Sequence, residues 1–288
     1  MKQEHTFFST GIKNMIFAIF CFGLVNVLVK ALDNIPSLEI VWFRGIFMIF
    51  ISLIVLKKNK VHLWGNNKKV LLLRGLFGTT GVCLFFISLK RMDLASAQVI
   101  HYTAPIFTTL IASLFLKEKV KNLQWLFFLI SFIGVLVVKG FGDINTMDFI
   151  IGITSAFFSG CAYVTIRKLK GTENPTVIIF YFALVALPLM TLYFVLFPGN
   201  WVNPIGTQWL FLCGIGLFTQ VAQYFMTKAY QGEVANRISG VSYSGIVFAI
   251  LFGIVFFSEY PSILVIAGIV LVLTGVTLNL RFTGGGKK

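Results

Sequence analysis

Acidic side chains are scarce in this sequence: ten Asp and Glu stand against 24 Lys and Arg, and the four types together make up 12% of the 288 residues. A water-soluble domain carries roughly 25% charged residues, so water is not the main solvent of this chain. Every Asp and Glu lies at or near the end of an apolar run, which leaves out the mid-membrane carboxylate usual in a proton-driven carrier. Neither HExxH nor GxSxG occurs, and no carboxylates pair inside a run, so an intramembrane enzyme lacks its nucleophile, base and metal ligands. A channel would need a repeated filter loop of carbonyls or charges, and none is visible. Cysteine is limited to Cys21, Cys83, Cys161 and Cys213, each inside an apolar run without a CxxC or histidine-spaced partner. They read as small packing residues, and no metal or cofactor is expected. The first apolar run continues too far for a cleavable signal peptide and has no small-residue cleavage site, so it reads as a retained helix.

What is present is apolar: 57% of the residues are hydrophobic and the mean hydropathy is +0.89. A bilayer core of about 30 Å needs roughly 20 such residues per crossing. Cutting at charges, prolines and polar turns gives ten candidate spans: Gly11–Ala31, Ser37–Leu56, Val70–Leu89, Leu94–Leu116, Leu123–Val138, Asp148–Ile166, Pro175–Phe197, Gly206–Ala229, Val234–Phe257 and Pro261–Leu280. The formal net charge of +14 would suggest nucleic acid in a soluble protein, but the 32 Phe lie inside the runs instead of on a basic face, so no nucleic-acid partner is expected.

The cations sort by side. With loops placed alternately, one side collects Lys2, Lys13, Lys57, Lys58, Lys60, Lys68, Lys69, Arg74, Lys117, Lys119, Lys121, Arg167, Lys168, Lys170, Lys228, Arg237, Arg281, Lys287 and Lys288, and the other only Lys30, Lys90, Arg91 and Lys139. Lys and Arg are retained in the cytoplasm, so both termini are expected there, in a multi-pass protein of the cytoplasmic (inner) membrane. Trp64, Trp125, Trp201 and Trp209 stand near span ends, where an amphipathic ring suits the headgroups or simply packs, and Trp42 is deeper.

The two halves of the chain match. Gly23, Val27, Lys30 and Leu32 align with Gly160, Val164, Arg167 and Leu169; further on, Tyr102, Glu118 and Gly134 align with Tyr243, Glu259 and Gly275. The expected organisation is residues 1–140 as one five-span repeat, 141–283 as a second, and a Gly/Lys tail at 284–288. Five is odd, so the second copy enters the membrane from the opposite side. Inverted repeats supply two related conformations with substrate held between them near the midplane, which is the physical argument for a carrier.

Arg74-Gly75-Leu76-Phe77-Gly78, Ala95-Ser96-Ala97, Pro105-Ile106-Phe107 and Phe115-Leu116-Lys117-Glu118, with Trp42-Phe43-Arg44 before them, resemble the EamA-type repeat of the drug/metabolite transporter superfamily. The second half keeps Glu233, Ala235 and Ser258-Glu259 but has Ile246 where that family often has proline, which argues against a symmetric helix break. The resemblance implies an all-α membrane protein of ten helices whose central cavity is lined by helices one, three, four, six, eight and nine, with five and ten as scaffold. Its substrates include amino acids, S-adenosylmethionine, nucleotide sugars and drugs.

Several polar residues stand out against the apolar runs. Arg44 lies about 10 Å into the second span, costly for a charge unless it is paired or faces water. It either meets an anionic or zwitterionic substrate, locks a gate, pairs with Glu39, or snorkels to the headgroups. Gln98, His101 and Pro105 share one helical face, next to Tyr102. Pro105 frees a backbone carbonyl, and His101 either binds a carboxylate, relays a proton or is satisfied by a neighbouring helix. Ser155, Ser159 and Tyr163 in the sixth span, Gln220, Gln223 and Tyr224 in the eighth, and Ser239, Ser242, Tyr243 and Ser244 in the ninth would together line a polar cavity, though single hydroxyls also bind helices together.

Lys30, one turn beyond Asn26, and Arg167, one turn beyond Tyr163, are expected at the outer and inner mouths, meeting cargo or gate partners such as Asp33 or Glu173. Gly75, Gly78 and Gly81, and Gly268 with Gly275, mark close helix approaches. The expected activity is alternating-access transport of a small polar metabolite, amino-acid-like or S-adenosylmethionine-like. Export of drugs or other amphiphiles, or lipid flipping, is the alternative. The expected partners are a small-molecule substrate and the lipid bilayer, for a monomer or homodimer.

Overall fold

Lipid offers no hydrogen bonds, so a spanning backbone must satisfy its own polar groups, and every regular element among the described residues is helical. The structure is a computed structural model describing residues 9–117, 121–141, 144–233, 238 and 241–284, with the backbone alone for residues 141, 276 and 279–284. Lys2, Glu118, Lys119, the ninth-span start at Val234, Ala235, Arg237, Ser239, the tail after Gly284 and the side chain of Arg281 lie outside the described residues.

The helices are α1 (Thr10–Ala31), α2 (Ser37–Lys58), α3 (Lys68–Arg91), α4 (Leu94–His101), α5 (Ala104–Phe115), α6 (Asn122–Phe141), α7 (Thr146–Lys168), α8 (Pro175–Leu196), α9 (Gln208–Gly232), α10 (Gly245–Phe257) and α11 (Ile263–Gly284). Eight segments are long and apolar enough to cross a membrane, with Leu94–Phe115 counted as one, and the shorter apolar Gly245–Phe257 and Ile263–Gly275 follow. This is a multi-pass membrane protein. Starts are set by side chains that take an otherwise orphaned N–H: Asn67 Oδ1 accepts from Val70, Asn145 Oδ1 from Met147, and Asn174 Oδ1 from Thr176 just after Pro175. The helices are apolar all round. In α2, for example, Ile40 and Met48 are buried while Phe50 and Ile54 face outward.

Helices pair across the chain: α1 packs on α9, α3 on α7, α2 on α8 and α6 on α11. The last pair meets through glycine. A Cβ on Gly134 would stand 2.6 Å from the Gly268 carbonyl oxygen, and one on Gly275 would stand 2.5 Å from that of Phe127. Overpacking of this kind costs about 1–3 kcal/mol. Gly134→Ala is therefore expected to lower the melting temperature by several degrees. Gly140→Ala, in the same helix with no described residue within 4 Å of its Cβ position, should leave it unchanged. Equal shifts in a melting assay would contradict this account of the seam.

The structure corrects the expectation of a one-sided helix break. Between α4 and α5 the chain tightens into i→i−3 bonds, Thr103 N–H to Ile100 and Ile106 N–H to Thr103; before α10 the same bonds recur, Ser244 N–H to Val241 and Val247 N–H to Ser244. Proline is present only at the first site, in the opening turn of α5. At the second, Gly245 makes the room, because a Cβ there would overlap the hydroxyl of Tyr102. The two helices also end alike, with Lys117 and Ser258 both in the left-handed region at φ 55° and 53°.

Candidate functional site

Packing of α1 against α9 and of α3 against α7 leaves a cavity of about 120 Å³ between them. One water needs roughly 10–15 Å³ on this measure, so there is room for several waters or part of a small solute. Residues of α1, α3, α4, α7, α9 and α10 form the wall, α2 and α8 contribute one side chain each, Arg44 and Phe182, and α6 and α11 contribute none.

Eight sequence-expected residues lie on this wall: Arg44, Gln98, His101, Tyr102, Ser159, Tyr163, Gln223 and Ser242. Three do not. Gln220 is buried in a hydrogen bond to Ser52 Oγ, Tyr224 lies under Lys228, and Tyr243 packs on Tyr102 with ring centroids 5.3 Å apart. Helical geometry explains the split in α9: Gln220 and Gln223 are three residues apart but point to different neighbours, α2 and α3, and only the second reaches the cavity. Asn26 and Arg74 also line it.

The polar wall is partly self-satisfied. Asn26 donates to Gln98 at 3.0 Å, joining α1 to α4. Ser155 donates its hydroxyl proton to the Gly81 carbonyl at 2.8 Å, so it accepts from His101 Nδ1 at 3.2 Å. That bond fixes the tautomer of the neutral ring and leaves Nε2 as an acceptor. Phe85 covers the imidazole, with centroids 4.2 Å apart. His101 is thus a histidine satisfied by a neighbouring helix that still faces the cavity.

The arginines are not satisfied. Arg44 is 4% exposed and Arg74 2% exposed, and neither has a carboxylate partner among the described residues. Glu39, the sequence candidate for Arg44, instead accepts from the Val202 N–H. Arg74 donates from Nη2 to Gln223 Oε1 at 3.1 Å, while its Nε and Nη1 and the Nε of Arg44 are buried without partners. Both guanidinium carbons approach the Phe182 ring, at 4.9 Å for Arg44 and 4.6 Å for Arg74. Such contacts supply about 0.5–2 kcal/mol each, against an effective desolvation penalty of several kcal/mol per ion. The rings orient the two cations without neutralising them.

At one end of the bundle Lys30 and Glu259 form an ion pair, each side chain 15% exposed; Lys30 also donates to the Met92 carbonyl, and Glu259 Oε2 accepts from the Leu94 N–H. The pair ties α1, α4 and the end of α10 together. Asp33, the sequence candidate, is not the partner. At the other end Arg167 Nη1 donates to the Glu233 carbonyl at 2.7 Å, and Glu173 accepts from the N–H groups of Asn66 and Asn67. Pro105 is buried at the α4–α5 break, in the opening turn of α5 and off the cavity wall.

Comparison with known proteins agrees with this architecture. The pseudopaline exporter CntI of Pseudomonas aeruginosa is 32% identical over 271 residues, covering 92% of this chain and 93% of its own length. Human solute carrier family 35 member G1 is 29% identical over 269 residues, covering 88% of this chain and 73% of its own. A crystal structure 17% identical superposes with a TM-score of 0.75 over 96% of this chain and 99% of that one, a likeness of fold alone. The EamA-like transporter family matches residues 9–140 and 147–281, which together take in every span and both cavity arginines. The chain belongs to the EamA-like transporter family, and it is a membrane transporter, not an enzyme.

Proposed function

We propose that the protein carries a small polar metabolite by alternating access, as ten membrane helices in two inverted five-helix repeats. The observation that carries this reading is the cavity itself, walled by α1, α3, α4 with α7, α9, α10, with the Lys30–Glu259 ion pair at one end of the bundle. Paired features support the repeat. Tyr102 and Tyr243, aligned by sequence, pack on each other, and the breaks beside them use matching bonds. Gly134 meets residue 268 while its aligned partner Gly275 meets residue 127, as a two-fold relation in the membrane plane requires.

Loop contacts support the proposed orientation, with both termini cytoplasmic. Asn66 bonds the Thr172 carbonyl at the end where Gly11 meets Glu233, and Glu39 bonds Val202 at the end that holds Lys30 and Glu259. In this reading Arg44, Gln98, His101, Tyr102, Ser159, Tyr163, Gln223 and Ser242 face cargo, the Lys30–Glu259 pair is the outer gate, and Arg167 belongs to the inner one. The break beside Pro105 lets α4 and α5 tilt separately. Two uncompensated arginines disfavour a cation such as S-adenosylmethionine and leave an anion or amino-acid-like zwitterion. The relative named as an exporter makes outward flux the first direction to test.

The test uses a variant with the four native cysteines replaced and cysteines at positions 30 and 259, reconstituted in vesicles. A short bifunctional thiol cross-linker is expected to stop saturable flux, and a cleavable one to permit recovery after cleavage. Flux unaffected by a verified cross-link rules out opening at that mouth.

A further inference from the structure

Two cations without a counter-ion among the described residues face the same small volume. None of the described residues lining the cavity is Asp or Glu. Gln223 occupies one nitrogen of Arg74 and leaves two buried and unpartnered, and the Nε of Arg44 is in the same condition. Space is reserved for this arrangement: a Cβ on Gly78 would overlap Nη1 of Arg74. Phe182, on the opposite helix, holds both guanidinium groups by its ring and keeps them at two separate points of the wall.

We infer that Arg44 and Arg74 form a two-point anion subsite, and that the cargo is a small organic dianion bearing two carboxylate groups. The inference rests on the alternating-access reading and names the substrate class of that same cavity. Charge balance selects a dianion. One negative group leaves a buried positive charge behind when the cavity closes, and a zwitterion adds an ammonium for which the wall holds no carboxylate. Two negative groups make the closed, loaded carrier neutral inside. Carboxylates suit the guanidinium fork, which donates two parallel hydrogen bonds to each such group, and the unpartnered Nε and Nη1 of Arg74 offer donors for them. Tyr163, and the amide groups that Asn26 and Gln98 do not spend on each other, remain for the hydroxyl or amide groups of the carbon skeleton.

The experiment measures melting of the purified full chain against glutarate, pentanoate, glutamine and glycerol 3-phosphate, because a ligand bound only to the folded form raises the melting temperature. Glutarate is expected to act saturably at a concentration at least tenfold below pentanoate and glutamine. Arg44→Gln and Arg74→Gln should each abolish the glutarate shift while melting, ligand-free, at or above the parent, since each removes an unneutralised buried charge. Arg74→Lys keeps the charge without the fork and should weaken glutarate at least tenfold.

A lower ligand-free melting temperature with the glutarate shift intact makes the arginines structural and overturns the subsite. Tighter binding of glycerol 3-phosphate than of glutarate overturns the dicarboxylate. Vesicles loaded with labelled glutarate separate the two readings. Glutarate binding without flux supports the subsite and removes alternating access. Saturable glutamine flux indifferent to glutarate overturns the subsite and leaves alternating access standing.

Discussion

Lys30→Glu is expected to lower flux in reconstituted vesicles at least tenfold while leaving the yield of folded protein within about twofold, and adding Glu259→Lys is expected to bring back most of the loss. Tenfold corresponds to about 1.4 kcal/mol. Two like charges about 4 Å apart near a protein surface repel by about 4 kcal/mol at an effective dielectric near 20. Lys30 and Glu259 retain only 15% of their side-chain exposure, so water screens little of that. The repulsion is expected to act on the mouth, where Lys30 and Glu259 join α1 to the end of α10, and the yield of folded protein is the control for any effect on packing.

Recovery in the double variant should be incomplete for a stated reason: Glu259 Oε2 also accepts the Leu94 N–H that opens α4, and lysine cannot. Glu259→Gln keeps that acceptor and loses only the charge, so it should fall between parent and reversal. Flux that drops equally in the single and double variants would mean that the two charges do not act on each other, and the gate assignment would fail.

Much of this is legible in the sequence, and the rest divides between a local clue passed over and pairings made only on packing. Spans are legible because about 20 residues must each be apolar, a local requirement that any window registers. The face carrying Gln98 and His101 is legible because helical spacing is local too, and both reach the cavity. Arg74 was hidden by its company: it follows Lys68 and Lys69 and counts naturally as a topology signal. The missed clue was depth, four apolar residues and roughly 9 Å beyond Lys68, much like Arg44 in its own span. The sequence offers Asp33 as a nearby gate partner for the mouth cations, whereas Lys30 pairs with Glu259 from the far end of the chain, a pairing that only packing reveals. The break before α10 has no proline to mark it. A glycine vacating space for the Tyr102 hydroxyl leaves no pattern in its own half of the chain.

Two glycines one turn apart on α3 carry the second large effect, with opposite signatures. At Gly78 an added Cβ overlaps Nη1 of Arg74 and comes within 3.1 Å of Phe182 Cε2. The guanidinium is the free end of a flexible chain, so it yields, abandoning Gln223 and its place on the ring, and the backbone stays where it is. Gly78→Ala is therefore expected to cut cargo flux at least tenfold and to shift the melting temperature by less than about 2 °C. At Gly75 an added Cβ would stand 2.9 Å from the Tyr181 carbonyl oxygen and 2.8 Å from Val185 Cβ. Helix backbone cannot swing aside, so α3 and α8 must part, at a cost of about 1–3 kcal/mol. Gly75→Ala should lower the melting temperature by several degrees and reduce flux only in proportion to the folded protein recovered. Measured side by side in one preparation, the pair separates the position of an arginine from the integrity of a seam. A Gly78→Ala protein that melts early and transports normally per folded molecule would show that the guanidinium's place on the wall does not matter.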